Sequence, residues 1–201
     1  MKTELLIATK NAGKVKEFRQ LLSDFPVILH SADEFEEIPE PEETGETFAD
    51  NAILKARYYA EKTGLISLAD DSGLAVDALN GAPGVFSARY AGADATNDER
   101  IAKLLNELGE IPIENRSARF ICSMAISEKD GKILHLAEGI CEGKIAFQPA
   151  GTNGFGYDPI FIPNEFSQSF GELSDEIKHK ISHRGQAIAK IIKFLHDFAV
   201  S

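Results

Sequence analysis

The stretch Leu68-Ala69-Asp70-Asp71-Ser72-Gly73 joins an apolar run to two adjacent carboxylates, a hydroxyl and a glycine. A buried strand that carries acidic residues to its carboxyl end commonly places a metal ion beside a substrate in α/β proteins. The same residue types also form ordinary turns. We predict a strand over Leu65 to Ala69 that ends in a sharp turn at the acid pair. The stretch alone leaves a metal site and a plain turn equally open.

Apolar runs and helical stripes alternate on both sides of this strand. The run Leu5 to Ala8 predicts a first buried strand, and apolar residues from Val15 to Leu22 recur at helical spacing. Two further helices are predicted, over Thr47 to Glu61 and around Ile101 to Leu108, the second with an N-cap at Thr96 or Asn97. This alternation predicts an α/β fold with a mixed sheet.

The second half of the chain adds a hairpin and a last helix. The strand-like stretches Phe120 to Ile126 and Ile133 to Ile145 flank Glu128-Lys129-Asp130-Gly131, a favourable turn sequence. A last helix is predicted to begin just after Ser182-His183-Arg184-Gly185. Its apolar stripe consists of Ile188, Ile191, Ile192, Leu195 and Phe198. We treat residues 1–201 as a single domain with a long mixed sheet flanked by helices.

The composition excludes several classes of protein. The chain has 201 residues, of which 43% are hydrophobic, and this is typical of one globular domain. A net charge of −11 argues against a stable nucleic-acid partner, because proteins that bind nucleic acids neutralise phosphates with basic faces.

No apolar run reaches the roughly 18 residues of a membrane span and no signal-peptide core is visible, so we expect a cytoplasmic protein without a membrane partner. Cys122 and Cys141 lack metal-site spacing and are expected to be packed thiols.

The segment between the first strand and the first helix is a candidate phosphate site. Backbone N–H groups point outward at such a turn, and the helix dipole favours an anion. The segment has neither the glycine spacing of a Walker A loop nor a G-x-G-x-x-G motif, so a solvated helix start is the alternative. Its residues are Thr9, Lys10, Asn11, Ala12, Gly13 and Lys14.

A second group of acids precedes the helix predicted from Thr47. Glu42 or Glu43 could supply the oxygen ligand that Mg²⁺ needs alongside the acid pair of the strand. Acids near a helix start, such as Glu46, are also explained by the helix dipole alone. Lys55 lies further along this helix and is expected to be a surface charge unless its face turns toward the site.

Two segments near the end of the chain suit a flat, polar ligand. Gly154-Phe155-Gly156-Tyr157-Asp158-Pro159 places an aromatic ring between two glycines, so that the backbone can approach a ligand whose face the ring covers. A structural glycine turn is the alternative. Ser182-His183-Arg184-Gly185 offers two hydrogen-bond donors for a carbonyl or phosphate, with Lys178 upstream.

The ordered motifs together resemble the Ham1/ITPase family, the non-canonical purine nucleoside triphosphate pyrophosphatases, in its bacterial dITP/XTP branch. The resemblance covers nearly the whole chain, although Lys10 stands where many members carry glycine. The matching motifs are Ala8-Thr9-Lys10-Asn11-Ala12-Gly13-Lys14, Glu43-Thr44-Gly45, Asn51-Ala52-Ile53-Leu54-Lys55-Ala56, Ala69-Asp70-Asp71-Ser72-Gly73-Leu74, Gly81-Ala82-Pro83-Gly84, Gly154-Phe155-Gly156-Tyr157-Asp158 and Ser182-His183-Arg184-Gly185.

The resemblance implies an ITPase-like α/β fold with two lobes around a central nucleotide-binding cleft, and a homodimer. It implies Mg²⁺-dependent hydrolysis of dITP, ITP or XTP to the monophosphate and pyrophosphate. Asp71 would be the general base and a metal ligand. Asp70 and Lys14 would assist catalysis. Glu42 or Glu43 would complete the metal shell with the acid pair. The residues implied to bind the nucleotide are Thr9, Lys10, Asn11, Ala12, Gly13, Lys14, Lys55, Ser72, Phe155, Gly156, Tyr157, Asp158, Lys178, His183 and Arg184.

The chemistry of these residues agrees with the implied reaction. Cleavage between the α and β phosphates needs an aimed water, a base and cations that neutralise the departing pyrophosphate. The acid pair and one of Glu42 or Glu43 meet the first needs, and Lys14 with Mg²⁺ meets the last. His183 and Arg184 are donors to the 6-oxo group of hypoxanthine or xanthine, whereas adenine presents an amino donor instead.

Other functions fit parts of the same pattern. A catalytically silent nucleotide-binding module would use the same fold, and a Maf-like pyrophosphatase or general phosphatase would share the phosphate chemistry without a preference for deaminated purines. A Ser-His-Asp hydrolase is rejected, because Ser72 lacks the G-x-S-x-G elbow and follows two acids that oppose its ionisation.

Overall fold

The computed structural model describes residues 3–199 of the chain. The α-helices of this part are α1 (Ala12–Leu21), α2 (Phe48–Thr63), α3 (Asn97–Leu108), α4 (Asp175–Ile181) and α5 (His183–Ala199). The strands are β1 (Thr3–Ile7), β2 (Val27–Ser31), β3 (Ile66–Val76), β4 (Ser117–Ser127), β5 (Ile133–Ile145) and β6 (Phe161–Pro163).

The six described strands form one sheet in the order β2-β1-β3-β4-β5-β6. β1 is parallel to both β2 and β3, whereas β5 and β6 are antiparallel. β4 and β5 are neighbours joined by the predicted turn, in which the Gly131 amide donates to the Glu128 carbonyl. The predicted α/β fold with a mixed sheet flanked by helices is therefore confirmed.

The chain divides into two compact units. The first unit comprises Met1–Asp71, Cys122–Glu138 and Gln186–Ser201, and the second comprises Ser72–Ile121 and Gly139–Gly185. β3, β4, β5 and α5 each contribute residues to both units.

In the first unit, helices cover both faces of the sheet. Leu68 of β3 packs in one apolar cluster with Phe18 of α1 and Ile188 of α5. The next residue, Ala69, packs in another cluster with Ala52 of α2. Successive side chains of a strand point to opposite faces, so this alternation assigns α1 and α5 to one face and α2 to the other.

In the second unit, a single apolar cluster joins the strands to α3. Ile101, Leu104 and Leu108 form the buried stripe of α3 and pack with strand residues such as Leu74. The helix begins at the predicted N-cap, since the Thr96 hydroxyl accepts from the amide of Glu99. The stripe and one of the two proposed caps are thereby confirmed.

The predicted end of the third strand is wrong. β3 does not turn at the acid pair but continues to Val76, so that Asp70 and Asp71 lie in the middle of an 11-residue strand. The register paired with β1 ends at Leu68, and beyond it β3 continues beside β4, its other neighbour in the sheet. That neighbour outweighs the low strand propensity of Asp, Ser and Gly. The side chains of Asp70 and Asp71 therefore point to opposite faces of the sheet.

Two helix starts also differ from expectation. α1 begins at Ala12 and α5 at His183, so both helices include residues that the sequence assigned to the preceding turns. The side chain of Phe198, the last member of the predicted α5 stripe, lies outside the described part. No helix among the described residues is long and apolar enough to span a membrane. Cys122 and Cys141 are both buried free thiols, as predicted.

Candidate active site

The side chains of Asp70 and Asp71 belong to two different polar clusters of the first unit, because adjacent strand residues point to opposite faces of the sheet. Oδ2 of Asp70 lies 3.0 Å from Nζ of Lys14, a residue of α1. Oδ1 of Asp71 lies 3.2 Å from Nζ of Lys55, a residue of α2. The acid pair is thus not a shared pair of ligands. Each carboxylate is held by a lysine from the helix that covers its face.

The cluster around Asp71 joins α2 to the acidic segment that precedes it. Nζ of Lys55 lies 2.5 Å from Oε1 of Glu43 as well as beside Asp71, and it bridges the two carboxylates. Nδ2 of Asn51 donates to Oδ2 of Asp71 at 3.0 Å. Both oxygens of Asp71 are therefore engaged, and the carboxylate has a fixed orientation.

Asn51 also fixes the acidic segment itself. Its Oδ1 accepts from the Gly45 amide at 2.7 Å, and a Cβ at position 45 would collide with the Asn51 amide group. Glycine is required at position 45 by this close approach. The fully buried Asn51 thus positions both Asp71 and the backbone two residues beyond Glu43.

Burial and charge shift the pKa values of this cluster. Burial raises the pKa of the Asp71 carboxyl, and the charge of Glu43 raises it further, while Lys55 lowers it only in part. Burial by itself lowers the pKa of Lys55, but the carboxylates around it outweigh burial and the pKa is raised. Asp71 is consequently a stronger base than an ordinary aspartate, and Lys55 stays protonated.

Lys55 is not a surface charge: its face of α2 turns toward Asp71, which is the alternative that the sequence left open. Lys55 is only 9% exposed, because the buried face of α2 includes Asn51, Lys55 and Tyr59 at four-residue spacing, next to buried alanines of the same helix. Its ammonium group is stable there because two carboxylates surround it.

The cluster around Asp70 fixes the lysine of the candidate phosphate segment. The side chain of Lys14 is 14% exposed and that of Asp70 is fully buried. The thiol of Cys122 lies 3.9 Å from the same oxygen, Oδ2 of Asp70. Lys14 is thereby held at the first turn of α1 rather than extended into solvent.

The candidate phosphate segment forms the N-terminus of α1. The Asn11 side chain caps the helix by accepting from the Lys14 amide, and the Thr9 hydroxyl accepts from the Asn11 amide. The amides of Ala12 and Gly13 lie in the first turn, where no intrahelical acceptor exists. This turn contains no acidic residue that would compete for those amides. It therefore suits an anion.

The predicted metal ligands are brought together only in part. Glu43 and Asp71 meet at Lys55, whereas Glu42 is exposed and Asp70 faces the other side of the sheet. Within residues 3–199, no group of three or more His, Cys, Asp or Glu side chains is arranged to hold a metal ion. Magnesium sites, however, often use one or two protein carboxylates completed by substrate phosphates and water. Two carboxylates that already share one cationic group fit such a site.

In the second unit, a buried ion pair fixes the glycine-rich loop. Nζ of Lys178 lies 2.8 Å from Oδ2 of Asp158, and both side chains are at most 5% exposed. The same carboxylate oxygen accepts from the Phe155 amide at 2.8 Å. The ammonium of Lys178 also lies 5.2 Å from the centre of the Phe155 ring. The loop is thus tied to α4 beside its aromatic residue.

Arg184 approaches the same aromatic ring from α5. Its guanidinium carbon lies 5.6 Å from the centre of the Phe155 ring, and its Nη2 donates to Oγ of Ser72 at 2.8 Å. Two cationic groups therefore flank one half-buried ring. This arrangement suits a flat ligand that carries hydrogen-bond acceptors.

His183 is held by an aromatic residue of β4. Its imidazole stacks on the Phe120 ring with centroids 4.7 Å apart and planes 11° from parallel. Phe120 in turn packs on Phe161 and Phe170 in the apolar cluster of the second unit. The orientation of the imidazole is thus set by the core.

Tyr157 supports the loop from the core. It is 4% exposed and its hydroxyl donates to the Ser87 carbonyl at 3.0 Å. Burial raises the pKa of its hydroxyl well above the ordinary value, so the group stays protonated. Gly156, the neighbouring residue, has a positive φ and open space around it.

Sequence reasoning did not assign roles to Asn51 and Phe120. Asn51 stands in a quoted motif, and its position four residues before Lys55 would have placed both on one face of α2. Phe120 carried no signal, because a strand phenylalanine predicts only burial. Its contact with His183 joins residues more than 60 positions apart.

These features define an α/β protein whose first unit suits a phosphate-bearing anion and whose second unit suits a flat, polar ring. The sequence matches the Ham1 family over residues 5–194. The chain belongs to that family, as its motifs predicted.

Relatives extend over nearly the whole chain. The chain is 51% identical to a dITP/XTP pyrophosphatase of Desulforamulus reducens, over 96% of each chain. It is 49% identical to one of Bacillus cereus, over 94% of this chain and 92% of that protein. The solved structure of a HAM1 protein from Coxiella burnetii is similar with a TM-score of 0.87 and 46% identity, and the match covers 97% of this chain and 99% of that one.

Proposed function

We propose that this protein hydrolyses non-canonical purine nucleoside triphosphates, namely dITP, ITP and XTP, to the monophosphate and pyrophosphate. The observation that carries the proposal is the buried Asp71 carboxylate, oriented by Asn51 and Lys55 beside Glu43. Relatives named dITP/XTP pyrophosphatase, with about half of their residues in common with this chain, support the same reaction.

Asp71 acts as the general base. Its raised pKa matches the carboxylate better to proton abstraction from water than that of an ordinary aspartate. Asn51 and Lys55 hold it in one orientation, so that the water is aimed at the phosphorus. Lys55 stays protonated and limits the repulsion between Asp71 and Glu43.

The first turn of α1 binds the triphosphate. The amides of Ala12 and Gly13 face the anion, and Lys14 contributes a positive charge to the departing pyrophosphate. Asp70 orients Lys14 and leaves its remaining N–H donors available. Mg²⁺ held by Glu43 and Asp71 would further neutralise the phosphate charge.

The second unit recognises the base. Phe155 covers the purine, while His183 and Arg184 donate to its 6-oxo group. Adenine places an amino donor at the same position, and a buried donor left facing another donor loses a hydrogen bond. Ser72 orients Arg184, and the pair of Lys178 and Asp158 orients the loop that carries Phe155.

The family resemblance also supports a homodimer and a cytoplasmic location, where the nucleotide pool is found. We include Mg²⁺ as the cofactor, because its preferred ligands are carboxylate and phosphate oxygens.

The test measures pyrophosphate and orthophosphate released from dITP in the presence of Mg²⁺. We expect pyrophosphate from the wild-type protein and a loss of at least about 100-fold in Asp71→Asn, the usual size of a general-base contribution. Asp94→Asn is the matched control, because Asp94 is exposed in the second unit. Circular dichroism confirms folding of both variants.

Three results would contradict the proposal. Release of orthophosphate would exclude a pyrophosphatase, and tight dITP binding without turnover would identify a silent binding module. Equal rates with dITP, XTP, dUTP and GTP would exclude selectivity for deaminated purines.

A further inference from the structure

Lys10 connects the N-terminus of α1 to the acidic segment that precedes α2. Its Nζ donates to the carbonyl oxygen of Ile38 at 2.9 Å across 28 residues of sequence. Lys10 is half-buried, and Ile38 is 8% exposed with its side chain in the apolar cluster under α2. The contact thus joins two segments that both belong to the first unit.

The acidic segment carries this contact on to Glu43. Ile38 is followed by Pro39-Glu40-Pro41-Glu42-Glu43, in which every second residue up to Pro41 is proline. Proline restricts its own φ angle and the conformation of the residue before it, so this run behaves as a semi-rigid spacer. A shift at Ile38 is therefore passed along the segment instead of being absorbed.

Glu43 is held at the other end of the spacer by Lys55. The two residues beyond it lead to Gly45, which Asn51 fixes. The Glu43 carboxylate is thus contacted by Lys55, while Asn51 holds the backbone after it and Lys10 holds the Ile38 carbonyl before it.

We propose that Lys10 is a positioning residue, which sets the place of Glu43 through the Ile38 carbonyl and the proline spacer. The proposal rests on the proposed function in that Glu43 is assigned to the Mg²⁺ side of the reaction. Lys10 has three N–H donors and the contact with Ile38 uses one of them. The same side chain therefore links the segment that binds phosphate to the segment that carries the metal-side carboxylate.

The first experiment needs neither substrate nor metal. A Glu-specific protease acts on the folded protein, and mass spectrometry follows cleavage after Glu37 and Glu42, which are both exposed. We expect about tenfold faster cleavage in Lys10→Met, the fold-change that corresponds to one lost hydrogen bond from a charged donor. Lys10→Arg retains a donor and should restore most of the wild-type rate.

Two controls separate the contact from the loss of a charge. Lys129→Met removes the same charge from an exposed turn of the first unit and should leave cleavage unchanged. Cleavage after Glu165, an exposed residue of the second unit, should be equal in all variants. Wild-type cleavage rates after Glu37 and Glu42 in Lys10→Met would overturn the proposal.

A second variant tests the spacer while Lys10 stays intact. In Pro39→Ala/Pro41→Ala we expect faster cleavage after Glu42 but not after Glu37. With saturating dITP, both this variant and Lys10→Met should need about ten times more Mg²⁺ for half-maximal rate, because both loosen Glu43.

A phosphate-binding role of Lys10 alone gives a different pattern. In that case the KM for dITP is raised in Lys10→Met, while the Mg²⁺ requirement of Pro39→Ala/Pro41→Ala is unchanged. That result would reject the positioning role. Absence of any pyrophosphatase activity would reject the proposed function, while the protease result would still decide whether Lys10 holds the segment.

Discussion

Nζ of Lys55 lies 3.2 Å from Oδ1 of Asp71 on the face of β3 that α2 covers. Burial raises the pKa of Asp71, and Lys55 lowers it in part, so the two effects oppose each other at one carboxylate. A general base must be ionised, and activity is therefore lost as the pH falls through its pKa.

The pH profile of kcat/KM should report this balance. We expect the acid limb of the wild-type protein to lie above the ordinary aspartate value of 3.8. Lys55→Met removes an influence that lowers the pKa of Asp71, so the limb should move to higher pH. Lys62→Met, an exposed position on the same helix, is the control. An acid limb at the same pH in Lys55→Met and wild type would contradict the assignment of Asp71 as base.

Removing one charged partner of the buried ion pair between Lys178 and Asp158 should destabilise the protein. Removing one partner leaves an uncompensated charge, so Lys178→Met or Asp158→Asn should each lower the free energy of unfolding by roughly 3 kcal/mol in urea at pH 7. The double variant should lose less than the sum. The exposed pair of Lys180 and Glu176 is the control, and Lys180→Met should have no measurable effect. Strictly additive losses would show that the pair is not coupled.

Gly154 and Gly156 offer a matched comparison within one loop. Both have positive φ, but a Cβ at position 154 would collide with the carboxylate of Asp158, whereas position 156 has open space. Gly156→Ala should cost only backbone strain, about 1 kcal/mol. Gly154→Ala should cost more and also raise the KM for dITP, because it displaces the group that holds Phe155. Thermal unfolding and steady-state kinetics measure both, and equal effects of the two substitutions would be inconsistent with this role of Asp158.

Phe120 should act on the substrate through His183. Phe120→Leu removes a stacked ring worth about 1 kcal/mol, so we expect the KM for dITP to rise several-fold with a smaller change in kcat. The ring-current shift of the His183 side-chain protons should disappear from the NMR spectrum of the variant. Phe166→Leu, which lies on the edge of the same apolar cluster, should leave those resonances in place. Unchanged His183 resonances in Phe120→Leu would refute the positioning role.

Local patterns predicted the longer helices and the hairpin, because these depend on residues close in sequence, whereas the short elements β2, β6 and α4 were not predicted. The stripe of α3 and its cap at Thr96 follow from helical spacing and from the hydroxyl at the helix start. The hairpin follows from two strand-like runs around Glu128 to Gly131. The family resemblance was also carried by short ordered motifs and is confirmed over residues 5–194.

The acid pair marks the limit of such patterns. The sequence predicts that the strand ends at Asp70 and Asp71, because Asp, Ser and Gly are turn formers in isolation. Whether they turn or continue depends on a strand that is distant in sequence, because the pairing of β3 with β1 ends at Leu68 and β4 is the neighbour beyond it.

The sequence by itself determined most of the helices and strands, although not β2, β6 or α4, together with the mixed α/β class and the residue types available for phosphate chemistry. These properties follow from composition, periodicity and caps within a few neighbouring residues. Only the tertiary structure decided that Asp70 meets Lys14 while Asp71 meets Lys55, that Glu43 and not Glu42 joins Asp71, and that Phe120 supports His183. Those contacts depend on the face of a strand or helix that packing buries, and packing joins residues far apart along the chain.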